Sequence, residues 1–99
     1  MKFPRRIARM LMQAKRFGLT PDRINESKDG ISAYWFSPDK LEGGASRRYV
    51  WLSADADGVS FLLSNRDGDN GPAYSVRDWS RQRKQILTSI REWLFPQSA

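Results

Sequence analysis

Three runs decide the fold of this chain: ISAYWF at residues 31–36, RRYVWLS at 47–53 and VSFLLS at 59–64. Each is rich in aromatic and β-branched residues and bounded by Gly, Asp, Ser or Pro, which is the composition of a short strand. Between the second and third, Asp57-Gly58 offers the left-handed backbone positions of a tight hairpin turn, so those two strands should pair antiparallel. Side chains alternate along a strand, so Ile31, Ala33 and Trp35 point one way and Tyr34 and Phe36 the other. By the same rule Tyr49 and Trp51 oppose Val50 and Leu52, while Val59, Phe61 and Leu63 oppose Ser60 and Leu62. Both faces of the sheet therefore carry large apolar groups.

Working outward, residues 1–18 read as a helix. Pro4 suits its first turn, Gly18 suits the residue just past its end, and Thr20-Pro21 prevents continuation. At roughly 100° per residue, Phe3, Ile7, Met10, Leu11, Ala14 and Phe17 share an arc of about 120°, the face that would be buried. At the other end of the chain, Ser75 with Asp78 forms a capping-box variant, and Tyr74 with Trp79 occupies the two positions of a hydrophobic staple. Trp79, Ile86, Leu87, Ile90, Trp93 and Leu94 form the apolar face of this second helix, and Pro96 stops it near Leu94. Residues 22–27 alternate Ile24 with Asn25 and Glu26 and run into Lys28-Asp29-Gly30, a pattern that fits either a short edge strand or an irregular loop.

The expected architecture is α+β: one domain over residues 1–99, with an N-terminal and a C-terminal helix packed on an antiparallel three-stranded sheet, order α-β-β-β-α. The sheet becomes four-stranded if residues 22–27 form the edge strand. This order of elements is similar to that of double-stranded-RNA-binding domains. That family's histidine-bearing loop and Lys-Lys cluster have no counterpart here, since the chain lacks histidine and its second helix opens Val76-Arg77-Asp78-Trp79. The resemblance therefore implies a fold order and assigns no functional residues.

Composition narrows the chemistry. With 39% hydrophobic residues and four tryptophans, the chain has too much apolar mass for a disordered segment. It contains no cysteine and no histidine, which removes disulfides, thiol chemistry and the two commonest zinc ligands, and fits a cytoplasmic location. Asn65, Asp67 and Asp69 are spaced like a calcium loop, but Asn70 stands where glycine is needed and Val76 where the closing glutamate is needed. Turn chemistry accounts for them better. With no nucleophile–base pair, no carboxylate outside a turn-like context in the middle of the chain and no glycine-rich phosphate loop, the expectation is a protein that is not an enzyme and uses no cofactor or metal.

Charge is more informative. The net charge of +6 is unevenly placed: residues 1–30 contribute +5, residues 31–70 contribute −2 and residues 71–99 contribute +3. In the first helix Arg5, Arg6, Arg9 and Arg16 fall on one side with no acid in the segment, and in the second Arg77, Arg81, Lys84 and Arg91 form another stripe. Cations in the first turn of a helix oppose its macrodipole, so Arg5 and Arg6 are poorly explained by helix stability alone. An arginine-rich, acid-free amphipathic segment also resembles a mitochondrial transit peptide, although Phe3, Ile7, Leu11 and Phe17 are needed to cover the sheet. No apolar run approaches the ~18 residues of a membrane span.

Two functions follow as expectations. The first is a nucleic-acid-associated module in which Arg5, Arg6, Arg9, Arg16, Arg77, Arg81 and Lys84 contact backbone phosphates without reading sequence, with sheet aromatics available for unpaired bases. The second is a protein-interaction module, such as a small inhibitor or accessory protein of the mobile-element type. It would use an aromatic sheet face of Tyr34, Phe36 and Tyr49 together with the loops at 38–46 and 65–72, which a meander brings to the same edge.

Overall fold

The structure, a computed structural model, describes residues 5–28, 30–55 and 58–96, with the side chains at 5, 6, 55 and 76–80 outside that description. Helix α1 (Arg5–Arg16) is followed by five strands, β1 (Arg23–Glu26), β2 (Gly30–Phe36), β3 (Arg48–Asp55), β4 (Gly58–Asn65) and β5 (Ala73–Ser75), and the chain continues into α2 (Val76–Leu94). The strands form one antiparallel sheet in sequential order, β1-β2-β3-β4-β5.

The fold is thus α+β with two helices, as the sequence predicts, but the sheet has five strands and not three or four. The α-β-β-β-α order is corrected accordingly. Residues 23–26 are a strand because Arg23 to Glu26 pair in register with Tyr34 to Ile31, and Asp22 locks the start. Its main-chain N–H donates to the Tyr34 carbonyl at 2.8 Å, and its carboxylate accepts from the Phe36 N–H at 2.7 Å. The fifth strand is only three residues long and follows Pro72, too short for alternation to announce it. It exists because Ala73, Tyr74 and Ser75 line up against Leu62, Phe61 and Ser60.

The hairpin between β3 and β4 forms with Asp55 opposite Gly58, and residues 56–57 lie outside the description, as do residues 1–4, with which the sequence begins its expected first helix. Gly18 ends α1 with φ of +88°. The Leu19 N–H bonds to the Ala14 carbonyl at 2.8 Å and the Gly18 N–H to the Lys15 carbonyl at 3.0 Å, a Schellman closure that needs the left-handed residue between them. Helix α2 begins directly after Ser75, the predicted cap, and ends at Leu94 before Pro96. Its side chains at Asp78 and Trp79 are outside the description. The helix is interrupted at Gln82 (φ −124°, ψ 22°), and among its described side chains the buried ones, Ile86, Leu87, Ile90 and Leu94, follow that break.

Both helices cover the same side of the sheet. Ile7, Met10, Ala14 and Leu19 join Ile86, Leu87, Ile90 and Leu94 over Ile31, Ala33, Trp35, Val50, Leu52, Phe61 and Leu63 in one core cluster. Two indoles pin the ends of the helical layer to one end of the sheet: Trp35 Nε1 donates to the Leu19 carbonyl at 2.8 Å, and Trp93 Nε1 to the Ser64 carbonyl at 2.9 Å. At the same end the Arg91 guanidinium lies 4.3 Å from the Phe17 ring centroid, bridging the two helices.

Candidate functional site

With both helices on one side, no described element covers the other face of the sheet. That face carries, from strand to strand, Arg23 and Asn25 of β1, Ser32, Tyr34 and Phe36 of β2, Tyr49 and Trp51 of β3, and Ser60 and Leu62 of β4. Burial alternates along β2 as the pleat requires, with Ile31, Ala33 and Trp35 buried and Tyr34 and Phe36 half-buried. Trp51 is 36% exposed, which for a ring of that size is a substantial open surface.

The rings are contiguous. Tyr34 lies 6.0 Å from Phe36 and 6.4 Å from Trp51, centroid to centroid, with planes within 14° and 11° of parallel, and 6.4 Å from the tilted ring of Tyr49. Such pairs add about 0.5–1.5 kcal/mol each beyond burial, so the platform keeps its shape without a covering element. The Arg66 guanidinium sits 4.8 Å from the Tyr49 ring centroid. Arg23, Asn25, Tyr34, Phe36, Tyr49 and Arg66 together enclose a depression of about 230 Å³.

The loops at 38–46 and 65–72 meet beside this face. Arg47 donates from Nε to the Asp39 carboxylate at 3.1 Å and from Nη1 to the Asp67 carboxylate, so one guanidinium joins both loops. Asp67 is thereby an ion-pair partner. Its N–H bonds to the Asn65 side chain at 3.2 Å, and the Asn65 N–H to the Asn70 side chain at 2.9 Å, so these residues are spent on turn bonds. A hydrogen bond from the Ser37 side chain, then the charges of Arg47 and Arg48, hold the Asp39 carboxyl below the ordinary carboxylate range. Arg47 is neutralised from two sides. Among the described residues, Arg23 and Arg66 have no carboxylate within salt-bridge reach.

The helical cations are elsewhere. Arg9, Arg16, Arg81 and Lys84 are exposed on the helical layer, across the core from the aromatic face. Arg5, Arg6 and Arg77 belong to the helices, with side chains outside the description. The outward side of α2 holds a shallow depression of about 540 Å³ where Glu92 joins Arg81 and Lys84, so a carboxylate shares that surface. Of the expected interaction residues, Tyr34, Phe36 and Tyr49 come together, joined by Trp51, Asn25, Arg23 and Arg66. Trp51 shares the parity of Tyr49 and was visible in the alternation. The others depend on the register of β1 and on the chain path after β4.

Among the described residues, no helix is long and apolar enough to cross a membrane, and no group of three His, Cys, Asp or Glu is placed to hold a metal ion. No protein-family model, curated protein or solved structure matches this chain.

Proposed function

We propose that this chain is a small non-enzymatic module that binds single-stranded nucleic acid on the open face of its sheet. The observation that carries the reading is one surface on which four rings, Tyr34, Phe36, Tyr49 and Trp51, adjoin two arginines, Arg23 and Arg66, that no described carboxylate neutralises. Rings offer stacking surface to any unpaired base, and guanidinium groups at their edge meet the phosphates that connect those bases. A base-paired duplex presents its bases edge-on and hides their faces, so an aromatic platform favours a strand that is not paired. The cations of the helices, Arg9, Arg16, Arg81 and Lys84 among them, form a separate surface that meets a different part of a long polyanion. A chain without cysteine works unchanged in a reducing cytoplasm, the compartment this reading assigns.

The test is anisotropy of labelled single strands and of the matching duplex, titrated with the full chain at ~50 mM and ~200 mM salt. Single strands are expected to bind more tightly than duplex, affinity to fall steeply with salt, and Trp51→Ala and Tyr34→Ala to weaken binding while circular dichroism stays unchanged. Absence of binding at the lower salt, or binding that ignores both ring substitutions, removes the proposal. If the chain then proves self-associated by light scattering and Trp51→Ala restores the monomer, the same face serves a protein contact.

A further inference from the structure

The open face is not uniform. Trp51 lies beside Leu62, whereas Tyr34, Phe36 and Tyr49 are flanked by Arg23 and Asn25 of the edge strand and by Arg66 from beyond β4. We infer that this walled depression is a single-nucleotide subsite, in which one unpaired base stacks on Tyr34 and Phe36 and the Asn25 amide reads its edge, giving the module a base preference at one position of the strand. The inference rests on the sheet-face reading above and sharpens it, since a platform of rings alone binds without regard to sequence.

Three features select a nucleotide over other ligands. The depression of about 230 Å³ is large enough to seat one base against its rings. Tyr34, Phe36 and Tyr49 supply aromatic faces, and among the described residues no Asp or Glu lines the depression. Its two cations stand on opposite walls: Arg23 enters from β1, where it is paired with Tyr34, and Arg66 leans over Tyr49 from the chain beyond β4. Phosphates leave a nucleotide in two directions, so cations on both sides suit a nucleotide within a strand better than an isolated anion.

Asn25 provides the discrimination. It faces the same side as Ser32, its register partner, and lies on the outermost strand where a base edge can approach unobstructed. Its amide carries donor and acceptor side by side, so it pairs at two points with a base edge that also sets a donor beside an acceptor, as N6 and N7 of adenine do, and not with an edge that lacks one of the two. With Arg23 and Arg66 engaged by phosphates and the rings stacking on any base, the preference is left to this one side chain.

The experiment measures the full chain against labelled oligo-A, oligo-C and oligo-U of equal length at fixed salt. The expected spread between best and worst strand is about tenfold. Asn25→Ala is expected to bring the three strands to within about twofold of one another without abolishing binding, whereas Tyr34→Ala weakens all three. Equal binding of all strands by the unaltered chain, or a spread that survives Asn25→Ala, overturns the subsite while leaving the sheet-face reading standing. No binding of any strand overturns both. Amide shifts on adding a nucleoside monophosphate supply an independent readout. They should cluster at residues 23, 25, 34, 36, 49 and 66, and a cluster on α2 in their place sinks the subsite.

Discussion

The indole nitrogen of Trp35, on a side chain only 2% exposed, donates to the main-chain carbonyl of Leu19 at 2.8 Å. That bond ties the exit of α1 to one end of the sheet, and it satisfies a carbonyl that burial has cut off from water. Trp35→Phe removes the donor and strands the acceptor, so stability should fall by about 1–3 kcal/mol, with the cavity adding to the loss. The matching bond from Trp93 to the Ser64 carbonyl is only part-buried, so Trp93→Phe should cost less. Urea unfolding midpoints of the two variants, at unchanged slope, check the ranking; equal losses would contradict it.

Gly71 and Gly68 make a matched pair for steric tests. A methyl group at Gly71 would stand 3.0 Å from Leu63 Cβ and 3.2 Å from a ring carbon of Trp93, atoms held by the core. At Gly68 the nearest atom, at 2.9 Å, is the amide nitrogen of Asn65, the tip of a side chain held by one exposed bond from the Asp67 N–H. Gly71→Ala should therefore destabilise by about 1–3 kcal/mol, and Gly68→Ala by less, about 1 kcal/mol if that bond is displaced. Thermal unfolding of both variants decides it.

The Asp39–Arg47–Asp67 clasp should respond to acid. Because the folded-state pKa of Asp39 is depressed, its contribution is complete above the unfolded value and is lost as pH falls below about 4 through the folded value. The carboxyl is exposed, so loosening should be confined to the loops at 38–46 and 65–72 and leave the sheet intact. Amide exchange or shifts in those loops should change between neutral pH and acid in the native chain. They should already be changed at neutral pH in Arg47→Ala. Global unfolding over that pH range would contradict the local account.

Salt dependence separates the two basic surfaces. If Arg23 and Arg66 each contact one phosphate, Arg23→Ala with Arg66→Ala should flatten the slope of log affinity against log salt by about 1.4 for a single strand. Replacing Arg81 and Lys84 should leave the slope for a short strand unchanged. A larger loss from the helix pair would move the phosphate contacts to the helical layer.

The central strands and both helix ends were readable because each rests on local rules: alternation in 31–36, a glycine at position 18 that takes φ of +88°, a proline at 96. The segregation of Tyr34, Phe36 and Tyr49 from Trp35 and Val50 came from the same two-residue period. What was not readable depends on register. Asn25 faces the same side as Tyr34 only because residue 23 pairs with residue 34, and a slip of one residue would turn it to the helical side. The strand Ala73–Ser75 is held by its partner Leu62–Ser60 and has too few residues to declare itself. Sequence periodicity located the cations on helix stripes, but could not say that Arg9, Arg16, Arg81 and Lys84 lie across the core from the rings, since layer order is decided by tertiary packing.

The two outer strands of the sheet have a further bearing. One is four residues long, opens with Arg23 and closes with Glu26; the other has three residues and follows Pro72. Short, charged or proline-flanked borders resist pairing with a neighbouring molecule. The protein can thus display a broad aromatic surface without recruiting copies of itself into growing ribbons. A dimer that pressed two such surfaces together would bury Trp51, so reversible shielding of its fluorescence from quencher at high concentration would reveal one.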